Sequence, residues 1–133
     1  MNPIENARKL RPLVVKAAQS LDDKDASEAV ALFDSMRYDG SLIAAGTRIN
    51  WGGVLKMAAV DLWDEELNNP DKAPDLWADL AYHDGIRIIP AVITAEQAFK
   101  LDELGWQDWH VYRSKMHGNV FPVTQTDAWE LIS

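Results

Sequence analysis

The sequence predicts an α+β fold: an N-terminal helical hairpin followed by two small antiparallel β-units related by a degenerate internal repeat. Three observations predict it. Over residues 2–36 apolar side chains recur at three- and four-residue spacing, the period of a helix face. From Tyr38 onward the pattern breaks into short apolar runs punctuated by glycine, proline and asparagine. Two of those stretches follow one plan: strand, tight turn, strand, proline-containing loop, tryptophan. The expected segments are 1–37, 38–82 and 83–133.

In the first segment Leu10, Leu13, Val14, Ala17, Ala18 and Leu21 define one face of a helix. Asn2, Pro3 and Glu5 read as a cap, a first helical residue and a reciprocal capping carboxylate. Pro12 removes a donor and crowds the preceding turn, so a kink or a later start is expected there. Asp25 and Glu28 form a second capping-box pattern, and Ala29, Val30, Leu32, Phe33 and Met36 supply the stripe of a second helix. Two helices this short need a packing partner.

In the second segment "AAGTRINWGGVLKMA" reads as two strands around Gly52–Gly53, residues free to adopt the positive φ of a hairpin turn. "LWDEELNNPDKAPDLWADL" is an irregular loop ending at Trp77. The third segment places a hairpin around Asp108 and Trp109, then a loop, then Trp129. Laying Leu55 on Val111 also pairs Lys56 with Tyr112 and Ala58 with Ser114, which reads as an internal duplication. The alternative is two hairpins that share only turn chemistry. Between the units, Ile86 to Ile89 reads as a strand, and Pro90 keeps it from a sheet centre.

Composition narrows the function. The chain has 133 residues, 26% of them charged, and a net charge of -8. That charge opposes nucleic acid, because the only basic cluster is Arg8, Lys9, Arg11 and Lys16. With no cysteine there is no disulfide, thiolate chemistry or cysteine-based zinc site. No apolar run reaches the roughly 18 residues of a membrane span, and no secretory signal is visible. His83, His110 and His117 lack metal-ligand spacing. "WDEELNNPD" lacks the pattern of a calcium loop and reads as a solvated face. No metal, no cofactor and no catalytic residue is expected, and the chain reads as non-enzymatic.

Six tryptophans are many for this length. Each ring buries roughly 150–250 Å2, so a few can supply the core of a small β-unit. Trp63, Trp77 and Trp129 stand in apolar contexts and are assigned to cores. Trp51, Trp106, Asp108, Trp109, His110 and Tyr112 cluster at the two hairpins. They are the candidate ligand-binding residues, because a flat ring beside polar groups can hold a sugar face or anchor a protein contact.

The order glycine, strand, aromatic turn, strand, then "P…LW" or "TDAWEL" resembles the small chitin- and cellulose-binding modules of carbohydrate-binding families 5 and 12. In the first unit Gly46, Ile49, Trp51, Gly53, Leu55, Pro74 and Trp77 carry the resemblance, with Lys56 where the family has tyrosine. In the second Gly105, Val111, Tyr112 and Trp129 carry it, with Trp109 at the turn glycine and Thr126 at the last proline. Similar units recur behind short helical stretches in phage and prophage tail proteins. The resemblance implies a structural or adaptor module of a phage-like tail or host-adsorption apparatus, made in the host cytoplasm and carried in the virion tail. Its partners would be proteins of that assembly, further copies of the chain among them, or surface glycans. The alternative it implies is a true carbohydrate-binding module for chitin-like or cell-wall glycans.

Overall fold

The computed structural model describes residues 3–133, with side chains from residue 10 onward. The fold is α+β, two helices with several antiparallel sheets, and the chain divides into two compact units, Met1–Leu80 and Ala81–Ser133. The helices therefore belong to the same unit as the first sheets, where the sequence had separated them at residue 37.

Helix α1 (Pro3–Ala18) runs unbroken through Pro12. A single proline forfeits one hydrogen bond, and the rest of the ladder carries the helix past it. Asn2, the expected cap, lies outside the described residues. Helix α2 (Asp23–Glu28) starts earlier than the capping pattern at Asp25 suggested. Its cap is Asp22, which stands in extended conformation and accepts from the Asp25 backbone N–H at 2.8 Å. The apolar stripe expected to continue that helix leaves it instead. Val30–Leu32 form one 3-10 turn, and Phe33 is extended and buried.

The first unit holds two sheets. Strands β1 (Leu42–Ile43) and β4 (Leu62–Trp63) pair with Leu42 opposite Trp63. Strands β2 (Arg48–Trp51), β3 (Val54–Ala58) and β5 (Trp77–Asp79) form an antiparallel sheet in the order β2-β3-β5. Alternation along β2 and β3 splits their side chains between two cores. Leu55 and Met57 face the helices and pack with Ala18, Ala26, Phe33 and Leu80. Ile49, Ala58 and Trp77 face the other way, with Ile43 and Leu62.

Arg48 ties helix to sheet. Its side chain is 5% exposed, donates to the carbonyls of Ala18, Gln19 and Leu21, and pairs with Asp23 at 3.1 Å. These carbonyls lie where the backbone ladder of α1 runs out, so the guanidinium supplies the donor for Gln19 and Leu21 and joins the Leu21 N–H at Ala18. The Gln19 amide returns the contact by bonding both the N–H and the carbonyl of Arg48.

Part of the face the sequence predicts is buried: Ala18 is in the core and Leu21 packs against it, whereas Leu10, Leu13, Val14 and Ala17 are exposed. Among the described residues Arg11, Val15 and, just past the helix, Gln19 are half-buried. Arg11 reaches Asp34 at 3.1 Å and the Ala31 carbonyl. The helix lies on its polar-flanked side because that side offers partners for these groups.

The second unit begins with a hairpin of β6 (Tyr82–His83) and β7 (Ile86–Arg87). Its main sheet joins β8 (Leu104–Gln107), β9 (His110–Ser114) and β10 (Trp129–Leu131) in the order β10-β9-β8. The core contains Ile89, Ile93, Phe99, Ala128 and Trp129. Gly105 is required there, since a Cβ at that position would run into the Ile89 side chain and come within 3.1 Å of Phe99.

Trp77 and Trp129 are both buried, and each indole N–H donates at 2.8 Å to a loop carbonyl, of Asn68 and Phe121 respectively. Trp63 is not a core residue: it is 57% exposed. Leu62 takes the inward position of the two-residue strand β4, and the alternation of a strand turns Trp63 outward.

Candidate functional site

Two tight turns build the candidate site, both in the second unit. The β8–β9 hairpin reverses through Asp108 and Trp109, both at positive φ (50° and 65°). Two consecutive positive φ values define the type I′ hairpin turn, which glycine and asparagine favour because a Cβ is strained there. A tryptophan in that conformation is a genuine outlier. The β6–β7 hairpin reverses through Asp84 and Gly85 (49° and 76°), with the Asp-Gly pair that such turns prefer.

The segment after β7 fastens the first hairpin beside the second. Ile88 bridges Trp106 in parallel, the Ile89 N–H donates to the Trp106 carbonyl at 2.8 Å, and the Gln107 amide donates to the Ile89 carbonyl at 2.9 Å. That register lays the His83 ring on Trp106, centroids 4.2 Å apart and planes at 31°. Trp109 stands edge-on to both, 5.1 Å from His83 and 5.5 Å from Trp106, each at 80°. The three rings make a corner whose floor is Trp106 with His83 and whose wall is Trp109, 61% exposed. Burial holds the His83 pKa below the ordinary imidazole value, against the opposing pull of the Asp84 carboxylate.

Of the six residues singled out in the sequence, Trp106, Asp108 and Trp109 come together here. The other three do not. Trp51 belongs to the first unit, where it packs on the Ile43–Trp77 core and donates its indole N–H to Asp71 at 3.2 Å. His110 and Tyr112 project from the opposite face of the β8–β9 ribbon, because Trp106 pairs with Val111 while Gly105 pairs with Tyr112. Tyr112 packs against the core and Trp129, and His110 Nδ1 lies 3.1 Å from the Ser133 carbonyl.

His83, noted in the sequence only as lacking metal-ligand spacing, is part of the corner. The signal for its hairpin was present in "HDGIR", but no local pattern says which strand that hairpin will lie beside. The corner offers ring faces for apolar contact, with the His83 imidazole and the Asp108 carboxylate within the same two turns. Among the described residues no three histidines or carboxylates gather to hold a metal ion. None of the described helices is long and apolar enough to cross a membrane. No family model matches the chain, and no curated protein matches it.

Proposed function

We propose that this protein is a non-enzymatic adaptor and contact module of a phage-like tail or host-adsorption apparatus, and that the Trp106–Trp109–His83 corner makes its surface contact, with a cell-wall or chitin-like glycan as the ligand. One observation carries this reading: Trp109 is held exposed at a turn where glycine would be cheaper. A strained backbone costs about 1–3 kcal/mol, and surrounding structure sustains it most often at sites of function. A perpendicular pair of indoles suits a sugar ring, whose axial C–H face lies on one indole while its edge meets the other. His83 and Asp108 then supply a donor and an acceptor for hydroxyls.

The degenerate repeat belongs to the same proposal. The two three-stranded sheets are read as copies of one module, with Gly52–Gly53 retained in one and Asp108–Trp109 specialised in the other. The tail setting rests on the order of a helical stretch before two such modules.

The test is a tryptophan-fluorescence titration with chitin and peptidoglycan oligosaccharides. A saturable change is expected in the native chain and in Trp51→Phe, and its loss in Trp109→Gly. A response that survives Trp109→Gly, or no response at millimolar sugar, overturns the glycan reading.

A further inference from the structure

The aromatic corner is bordered by carboxylates and by no basic side chain of its own unit. Asp84 leads the β6–β7 turn, Asp108 leads the β8–β9 turn, and both are exposed. Burial holds the His83 ring below its ordinary pKa of 6.5 against the pull of the nearby Asp84 carboxylate, so the imidazole is neutral at neutral pH. The basic side chains of the Ala81–Ser133 unit are Arg87, Lys100, Arg113 and Lys115, and all of them place their charge toward the far end of the β8–β9 ribbon. Arg87 lies over the Phe99 ring, 3.7 Å from its centroid, and pairs with Glu103 at 2.9 Å. Arg113 pairs with Glu130 and is separated from Trp109 by roughly 13 Å of strand, beyond the roughly 8 Å screening length of physiological salt. Lys115 follows β9 and donates to the Thr126 carbonyl at 3.1 Å. Lys100 precedes β8, where its backbone N–H donates to Glu103 at 2.9 Å.

A neutral sugar meets this corner through ring stacking and hydroxyls alone, whereas an ammonium group meets more. An indole face attracts a cation through its ring quadrupole, and Trp109 keeps its ring 61% exposed and perpendicular to Trp106. Carboxylates at the same two turns add charge-assisted hydrogen bonds, which are about twice as strong as neutral ones. An anionic sugar, by contrast, finds no cation there to pair with. We propose that the sugar taken by this corner carries a free amino group: an amino-sugar residue whose 2-amine is a protonated ammonium and not an acetamide, its ring stacked on Trp109 and its charge balanced by Asp84 and Asp108. The inference rests on the glycan reading of the corner and names the class of sugar.

The test compares a glucosamine trisaccharide with an N-acetylglucosamine trisaccharide by tryptophan-fluorescence titration of the full chain near neutral pH, with a lysine tripeptide as a third probe. The free-amine trimer is expected to bind about tenfold tighter than the acetylated one, and to lose most of that preference at high salt. Asp84→Asn and Asp108→Asn should each cut the preference several-fold. Asparagine tolerates the positive φ of both positions, so the turns stand. Asp127→Asn removes an exposed carboxylate next to Ala128, whose carbonyl accepts from Lys115 at the far end of the ribbon, and should leave the preference unchanged. An acetylated trimer that binds as tightly as the free-amine one overturns this inference and leaves the glycan reading standing. Binding of neither trimer overturns the glycan reading and this inference with it. A preference that survives both Asp84→Asn and Asp108→Asn overturns the role of the carboxylates. An equal loss in Asp127→Asn assigns the preference to the net charge of the chain, and an equal response to the lysine tripeptide assigns the corner to a basic protein segment; each overturns the proposal.

Discussion

The β2-β3-β5 and β8-β9-β10 sheets share strand order and strand lengths, yet one is backed by helices and the other carries the aromatic corner. The hydrogen bonds that frame them also correspond. The Gly46 N–H donates to the Ala58 carbonyl, and the Asp102 N–H donates to the Ser114 carbonyl. A cross-strand ion pair spans each sheet, but at different positions: Lys56 with Asp79 in one and Arg113 with Glu130 in the other. The contrast lies in what each face meets. Arg48 and Asn50 of β2 reach carbonyls of the helical segment, whereas Leu104 of β8 is exposed and the Trp106 ring packs with those of His83 and Trp109. The opposite faces diverge too: Ile49 fills its core with its own side chain, whereas Gly105 makes room for Ile89 and Phe99. One sheet scaffold thus becomes a helix platform or an exposed site according to the side chains of its first strand.

The largest expected effect tests the helix-backed face. Arg48→Met removes the donor to the Gln19 and Leu21 carbonyls, one of two donors to Ala18, and the cation paired with Asp23, so it should cost about 3 kcal/mol or more in a urea titration. Leu104→Ala, on the exposed strand of the other sheet, should stay within about 0.5 kcal/mol. Equal losses at the two positions would dissolve the contrast.

Next comes the glycine that the second core is built around. Gly105→Val should destabilise the Ala81–Ser133 unit by about 1–3 kcal/mol through overpacking against Ile89 and Phe99. Hydrogen exchange should show faster opening of residues 104–114 with residues 48–58 unchanged.

The turns give a smaller, opposite-signed pair. Trp109→Gly should raise stability by about 1 kcal/mol as it relieves positive φ, while abolishing the glycan response. Gly53→Ala, which introduces the same strain at φ 90°, should lower stability by about 1 kcal/mol. A loss of stability in Trp109→Gly would make the ring a packing element and not a presented one.

The smallest effect is set by pH. Burial depresses the His83 pKa from its ordinary 6.5, so the unfolded chain takes up a proton before the folded one does. Stability contributed by the neutral ring is therefore complete above about pH 6.5 and lost as pH falls through the lower folded value. His83→Phe should flatten the dependence in that window. Asp34 titrates lower still: desolvation pushes its pKa up, but hydrogen bonds from Arg37 and Arg11 outweigh it and leave it below 3.8. Its contribution is present above that value and disappears only in stronger acid.

The sequence by itself determined the mixed α+β character, because helical period, strand alternation and turn chemistry are written in adjacent residues. It also marked Trp51, Trp106, Asp108, Trp109, His110 and Tyr112, since aromatic rings beside polar groups stand at two hairpins legible in the sequence. Tertiary structure alone decided the rest. Which face of α1 is buried depended on where Arg11, Gln19 and Arg48 found partners, in competition with the apolar stripe. Trp63 turned outward because Leu62 claimed the inward place of a strand only two residues long. His110 and Tyr112 parted from Trp106 because strand register puts paired residues on a common face. His83 joined the corner through a bridge from Ile88 to Trp106, a contact 18 residues apart in sequence. Local patterns encode backbone geometry, whereas sites are made where distant strands compete for the same surface, and that competition is settled only when the chain packs.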